Sequence, residues 1–302
     1  MIKIIDLNFQ GIDKAIAVFL LETSIGPVLI ETGPYSTFGA LKLGLKNLGY
    51  EIEDIKHVLI THIHLDHAGA AWAMANTGAT IYLHPFGERH MMNPEKLWKS
   101  ARLIYGDTME KLWGEMHEVE ADKLRTVAHA EALVFGDTKI IAWHTPGHAS
   151  HHIAWQIGEV LVGGDVTGVK IDSGPVVPPC PPPDINLEAW MESLELIQQL
   201  NLKKIFLTHF GEITSIDEHI AELREILWSW ANWIKPNFER GETPSEIIPK
   251  FQQFTAAQLR SKGVSEHGII QYETANPSWM SVAGLLRYWK KRAEKEAAIL
   301  NQ

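Results

Sequence analysis

Residues 61–70 read THIHLDHAGA and crowd three histidines and an aspartate into six positions, directly after the apolar run KHVLI of residues 56–60. A surface loop has no need of such a composition, and a dry core would have to satisfy every ring nitrogen. A chain leaving a buried strand can use it differently. In an extended segment the side chains at i and i+2 point the same way, so His62 and His64 converge on one ion. Asp66 and His67 follow where the chain turns and face a slightly different point. Neutral imidazole suits zinc, and a carboxylate is a compatible oxygen donor. Four ligands from one loop cannot complete two tetrahedral sites, so more donors must come from elsewhere.

Three further strand ends offer them: His148 in HTPGHASHH (144–152), Asp165 in VGGDVTG (162–168) and His209 in FLTHFG (206–211). The ordered series His-x-His-x-Asp-His, Thr-Pro-Gly-His, Gly-Asp and Thr-His resembles the metallo-β-lactamase-fold superfamily. It is most similar to the glyoxalase II-like branch, because its bridging position is an aspartate. The resemblance covers about residues 15–212 and leaves a helical tail outside it.

That resemblance implies an α/β protein, a four-layer αβ/βα sandwich with two metals between its sheets. His62, His64 and His148 would hold one metal, Asp66, His67 and His209 the other, and Asp165 would bridge them. The cofactors implied are two zinc ions, with iron or manganese as other divalent choices. Two cations about 3.5–4 Å apart acidify a shared water enough to supply hydroxide near neutral pH. One metal polarises a carbonyl or phosphoryl oxygen, the hydroxide attacks, and Asp66 is the catalytic residue that orients it. No serine or cysteine nucleophile is required.

Departures from the family patterns narrow the choice. A cysteine stands where Asp165 is in the commonest zinc β-lactamases, so antibiotic hydrolysis is disfavoured. Redox-active diiron relatives carry glutamate at the place of His64. LTHFGEI lacks the segment with which glyoxalase II recognises glutathione, and Glu31 stands where the family has a shorter acid, in a structural role. The expected substrate is a small ester, lactone or thioester with an apolar portion. The alternatives are a phosphodiesterase or nuclease of the same fold, and a non-catalytic metal-binding protein.

The rest of the chain frames this site. With 45% apolar and 21% charged residues it reads as a globular protein. Its formal charge of −10 repels phosphate backbones, which argues against a nucleic-acid partner and for a small molecule. No run reaches a membrane span or a signal peptide, and Cys180 is the only cysteine. A cytoplasmic protein without disulfides is expected.

Strand-like and helical patterns alternate through the first two hundred residues. GALKLGLKNLGY (39–50) reads as a helix and IKHVLITH (55–62) as a buried strand. Residues 85–129 read as a helical insertion, with Asn93-Pro94 as the N-cap and first position of a helix in it, and SGPVVPPCPPPD (173–184) as a stiff extended loop. Both follow strands that end at the site, so Trp98, Tyr105 and Trp113 could line an apolar pocket; core packing explains them equally well. Asn186 caps a helix. Ser215 with Glu218 forms a capping box for a helix that Pro236 ends, and Thr243-Pro244 and Asn276-Pro277 start two more. The domain reading is a core of 1–212 and a helical extension of 213–302 packed on it. His151 and His152 crowd behind His148, His152 in a supporting role, and His84, His90 and His144 belong either to the pocket rim or to the surface or core. Cys180 has no activating neighbour in sequence and reads as a loop residue.

Overall fold

The computed structural model describes residues 2–300. Among these residues twelve strands form two sheets. The first holds β1 (Ile2–Asp6), β2 (Ala17–Thr23), β3 (Gly26–Ile30), β4 (His57–Leu59), β5 (Thr80–Leu83) and β6 (Leu124–Thr126), in chain order. The second holds β7 (Glu131–Phe135), β8 (Thr138–His144), β9 (Ile153–Ile157), β10 (Val160–Val162), β11 (Lys204–Leu207) and β12 (Gly211–Ile213), ordered β12-β11-β10-β9-β8-β7. Hairpins make β1–β3 and β7–β10 antiparallel, whereas β3–β6 and the β10–β11 pair are parallel.

Both faces of the central strands are apolar, and the period of two sorts them. Phe19, Ile30, Leu59 and Tyr82 from one sheet meet Ile140, Ile153, Trp155, Val162 and Phe206 from the other in a buried layer between the sheets. Their alternates, such as Leu20, Leu29, Val58, Ile81, Leu161 and Ile205, join a second cluster with the helices. The helices are α1 (Phe38–Asn47), α2 (Leu65–Ala68), α3 (Ala71–Asn76), α4 (Pro85–Met92), α5 (Glu95–Tyr105), α6 (Met109–Trp113), α7 (Leu187–Gln199), α8 (Ile216–Glu239), α9 (Pro244–Ser261), α10 (Glu266–Ala275) and α11 (Ser278–Leu300). The result is the expected four-layer αβ/βα sandwich.

Several local readings differ from expectation. The strand before the histidine motif is only His57–Leu59: Ile60 N makes a last bond to Tyr82 O, and the chain then leaves the ladder and turns His62 and His64 toward one point while Ile60 and Ile63 stay in the core. Helices occupy the 85–129 segment as far as Trp113, but Leu124–Thr126 pairs in parallel with β5 and is the sheet's edge strand. Ser215 stands at the start of α8 without capping it through its side chain. Pro236 does not end α8, which runs three residues further; a proline so near the end forfeits one backbone bond, and Asn237 Nδ2 donates to Trp233 O at 2.8 Å there. By contrast, Thr243 and Glu246 form a full capping box for α9, and Asn186 Oδ1 caps α7. Ile220, Leu223, Leu227, Trp230 and Ile234 are all buried, so α8 is a single helix packed on the core. The helices after residue 213 do more than cover it: α10 and α11 pin the proline-rich loop. Tyr272 donates from its hydroxyl to Pro175 O at 2.7 Å, Asn276 Nδ2 donates to Pro178 O at 3.1 Å, and Lys291 Nζ reaches Pro183 O at 2.8 Å.

Candidate metal centre

The site lies where β4, β8, β10 and β11 end, so four separate chain segments deliver its side chains to one edge of the sandwich. His62 Nε2, His64 Nδ1 and His148 Nε2 converge, with separations of 2.8, 3.0 and 3.2 Å. Beside them, His67 Nε2 and His209 Nε2 lie 3.7 and 3.6 Å from Asp66 Oδ2. Asp165 stands between the two groups. Its Oδ2 is 3.3 Å from His148 Nε2, while its Oδ1 is 3.1 Å from His67 Nε2 and 3.3 Å from His209 Nε2. All seven residues singled out from the sequence are therefore brought to one place, in sets of three whose donor atoms lie within 4.8 Å of one another.

A layer of partners fixes which nitrogen each ring presents. A carbonyl oxygen only accepts, so Nδ1 carries the proton where His148 meets Pro179 O at 2.8 Å and His209 meets Ala15 O at 2.6 Å. When neutral, both rings present a lone pair on Nε2, aimed inward. Glu31, buried and held at a φ of 71°, accepts from His67 Nδ1 at 2.9 Å, from Thr61 Oγ1 at 2.5 Å and from Thr61 N at 3.2 Å. With its hydroxyl proton committed to Glu31, Thr61 can accept from His62 Nδ1 at 3.0 Å. Outer partners of this kind orient metal-ligating imidazoles and raise their basicity.

Charge follows the same plan. Burial pushes His62 and His64 well below the ordinary histidine value and His148 down as well. Burial also opposes charge on His67 and His209, yet the Asp165 carboxylate outweighs it and holds both above that value, with Asp66 and Glu31 adding to the effect at His67. Asp165 is ionised despite burial, because His67, His148 and His209 hold its carboxyl well below the usual range.

The donor set fits a metal on a further ground. Asp165 Oδ1, His67 Nε2 and His209 Nε2 are buried and make no hydrogen bond within the described residues. A buried polar atom left unpaired costs about 1–3 kcal/mol. Three of them aimed at one point, one anionic and two with neighbours that favour positive charge, make a cradle for a cation.

The supporting histidines sort by contact. His152 Nδ1 bonds Thr145 Oγ1 at 2.8 Å and its Nε2 accepts from Val166 N at 3.4 Å, which steadies the loop behind Asp165. His90 and His151 line the cavity above the site, whereas His84 and His144 pack ring to ring, 4.1 Å between centroids, beside it. Cys180 is buried, with its thiol pushed up by burial.

That cavity measures about 780 Å³ and has His64, Asp66, Asp165 and His209 at its floor. Tyr105 and Trp113 line it as expected, while Trp98 packs against the core instead. Ile270, Trp279 and Met280, from α10 and α11, form a wall that sequence reasoning did not assign to the site. Their only signal was an aromatic and a methionine just after Asn276-Pro277, too common a pattern to read. The Tyr105 ring is held edge-on by Trp113 and Trp279, with centroids 5.1 and 5.5 Å away. Burial and the Asp66 charge push its phenol well above the ordinary tyrosine value, so it stays a hydrogen-bond donor.

The model of the metallo-beta-lactamase superfamily matches residues 12–209, which span every donor described above. The chain belongs to the metallo-beta-lactamase superfamily. Members of this superfamily are mostly metal-dependent hydrolases that bind divalent metals, usually zinc. A metallo-beta-lactamase fold-containing protein of Sulfurisphaera tokodaii is 26% identical over 215 residues, which cover 69% of this chain and 80% of that one. The structure of a metallo-beta-lactamase family protein from Thermus thermophilus matches with a TM-score of 0.70 over 97% of this chain and 94% of that chain. At 21% identity that likeness concerns fold alone, but it extends across the C-terminal helices. An N-acyl homoserine lactonase of a Bacillus species is 34% identical over 89 residues, only 22% of this chain and 36% of its own length.

Proposed function

We propose that this metallo-beta-lactamase superfamily chain is a dinuclear zinc hydrolase, of the glyoxalase II-like branch, acting on a small ester, lactone or thioester with an apolar portion. The observation that carries the reading is the division of the Asp165 carboxylate, one oxygen toward His148 and the other toward His67 and His209. On this reading His62, His64 and His148 hold one ion, Asp66, His67 and His209 the other, and Asp165 joins both. Bound there, two divalent ions would supply an acidified water and polarise the scissile carbonyl.

The chain's own groups do the rest. Asp66, with 22% of its side chain exposed against 5% for Asp165, is the carboxylate open to the cavity and can accept a hydrogen bond that orients the attacking water. The hydroxyl of Tyr105 has no protein partner among the described residues and offers a donor to a substrate oxygen. The apolar walls exclude bulk water, which strengthens every electrostatic contact at the floor. They also disfavour a nucleic-acid strand, in keeping with the net charge of −10. The partial likeness to N-acyl homoserine lactonases supports including lactones among the candidates. Residues 1–212 would then carry the chemistry, and 213–302 would complete the substrate chamber.

Elemental analysis after zinc reconstitution, paired with a panel of p-nitrophenyl esters, lactones, thioesters and phosphodiesters, tests the reading. Two equivalents of metal with turnover of a carboxylic substrate are expected. Well under one equivalent, or turnover confined to phosphodiesters, would overturn it.

A further inference from the structure

The cavity's carboxylates and cations are treated differently by the protein. Asp184 accepts from Ser150 Oγ at 2.7 Å. Glu273 accepts from Gln252 Nε2 at 3.2 Å and from Ser278 N and Oγ at 3.0 and 2.7 Å. Asp66 and Asp165 face the ring nitrogens of the metal centre. Every acid lining the cavity thus has a partner. Arg89 and Lys96 are the only lysine or arginine in that lining, and neither pairs with a carboxylate among the described residues. Among the described residues the one side-chain hydrogen bond of Arg89 runs from its Nε to His90 Nε2 at 3.3 Å.

Their placement adds direction. Arg89 ends α4 and Lys96 begins α5, so both stand exposed at the mouth while the metal centre forms the floor. Leu97, Ile104, Trp113, Trp279 and Met280 line the space between. Two unpaired cations, an apolar shaft and a carbonyl-activating floor match a molecule with three corresponding parts. A volume of about 780 Å³ accommodates a ligand of that size.

We infer that the substrate is an anionic amphiphile: a carboxylic ester or thioester whose apolar chain ends in a carboxylate or phosphate held by Arg89 and Lys96. This rests on the hydrolase reading for the bond that is cleaved, but the anion site itself does not.

Two measurements on the zinc-loaded protein separate the claims. The first is tryptophan fluorescence titration with decanoate, decyl phosphate and decanol. At least one anionic ligand should bind about tenfold more tightly than decanol, less so at high salt, and the tighter anion names the head group. In the Arg89→Gln/Lys96→Gln double variant that preference should fall to about unity. A preference that survives in the variant would mean that the metal ligands take the anion, and equal binding of all three ligands by the wild type would mean that there is no anion site; either result overturns the inference. The second compares kcat/KM for mono-p-nitrophenyl suberate with that for p-nitrophenyl octanoate, esters of equal chain length. A preference of about tenfold for the suberate that vanishes in the variant supports the full inference. Loss of the binding preference in the variant, with neither ester cleaved, would sustain the anion site and sink the hydrolase reading.

Discussion

Replacing Gly284 by alanine sets a methyl group where α11 presses on the proline-rich loop. That Cβ would stand 2.0 Å from the carbonyl oxygen of Cys180 and 2.9 Å from the carbonyl carbons of Cys180 and Pro181. A carbon rests about 3.3 Å from such an oxygen, so helix and loop would have to part by about 1.3 Å. The opposing atoms are backbone and cannot rotate aside. Overpacking of this kind costs about 1–3 kcal/mol, while alanine gains about 1 kcal/mol over glycine in a helix interior. The net expectation is a loss of up to about 2 kcal/mol, or up to about 3 °C in Tm at about 2.1 cal/mol/K per residue. The shift also reaches the metal centre, because Pro179 O of the same loop accepts from His148 Nδ1 at 2.8 Å. Thermal unfolding followed by circular dichroism, with elemental analysis of the same sample, should therefore show stability and metal content falling together. Gly39 in α1 is the control: its Cβ would meet nothing within 4 Å, so Gly39→Ala should gain up to about 1 kcal/mol and leave the metals alone. If Gly284→Ala behaved like Gly39→Ala, the packing of α11 on the loop would be refuted, and with it the role of the C-terminal helices in holding the site.

Three further outcomes follow from the site. Asp165→Asn keeps the size but removes the charge that both donor sets share, so elemental analysis should find fewer metals per chain and turnover should fall about a hundredfold. Asp172→Asn, which breaks only an exposed ion pair with Lys14, should change neither by a measurable amount. Glu31→Gln removes the charge and one of the two acceptor oxygens that orient His67 and Thr61; a drop of about 10–100-fold in zinc affinity is expected by chelator competition, and an unchanged affinity would deny Glu31 that role. His219 is held neutral, pushed down to about 4 by burial against the bond its Nε2 donates to Thr167 O, with Lys170 and Glu222 as weaker and opposing influences. Between pH 6.5 and 4 the unfolded chain takes up a proton that the folded chain refuses, so this group removes stability as the pH falls, by up to about 3 kcal/mol. Urea unfolding of His219→Gln should show a shallower loss across that interval than the wild type, and equal slopes would exclude the assignment.

The candidate donor cluster was legible in the sequence because donor chemistry is local in composition. His62, His64, Asp66 and His67 are too concentrated for any loop or core to need them, and His148, Asp165 and His209 each stand just past an apolar run. Helices announced themselves by periodicity in α1 and along the buried stripe of α8, and by the Thr243 and Glu246 capping box in α9. What covers a stripe is another matter. A helix's own spacing says which face is apolar and nothing about its neighbour, so α10 and α11 gave no sign that they would wall the cavity and pin the loop beneath. The carbonyls of Pro179 and Ala15, which choose the ring nitrogens of His148 and His209, carry no side-chain signal at all. The same holds for pairings that only folding creates: Glu31 with His67 across 36 residues, and the short strand β6 that finds the edge of its sheet beside β5. Donor identity is written in residue type; donor orientation, and the shape of the chamber above it, depend on contacts between segments far apart in the chain.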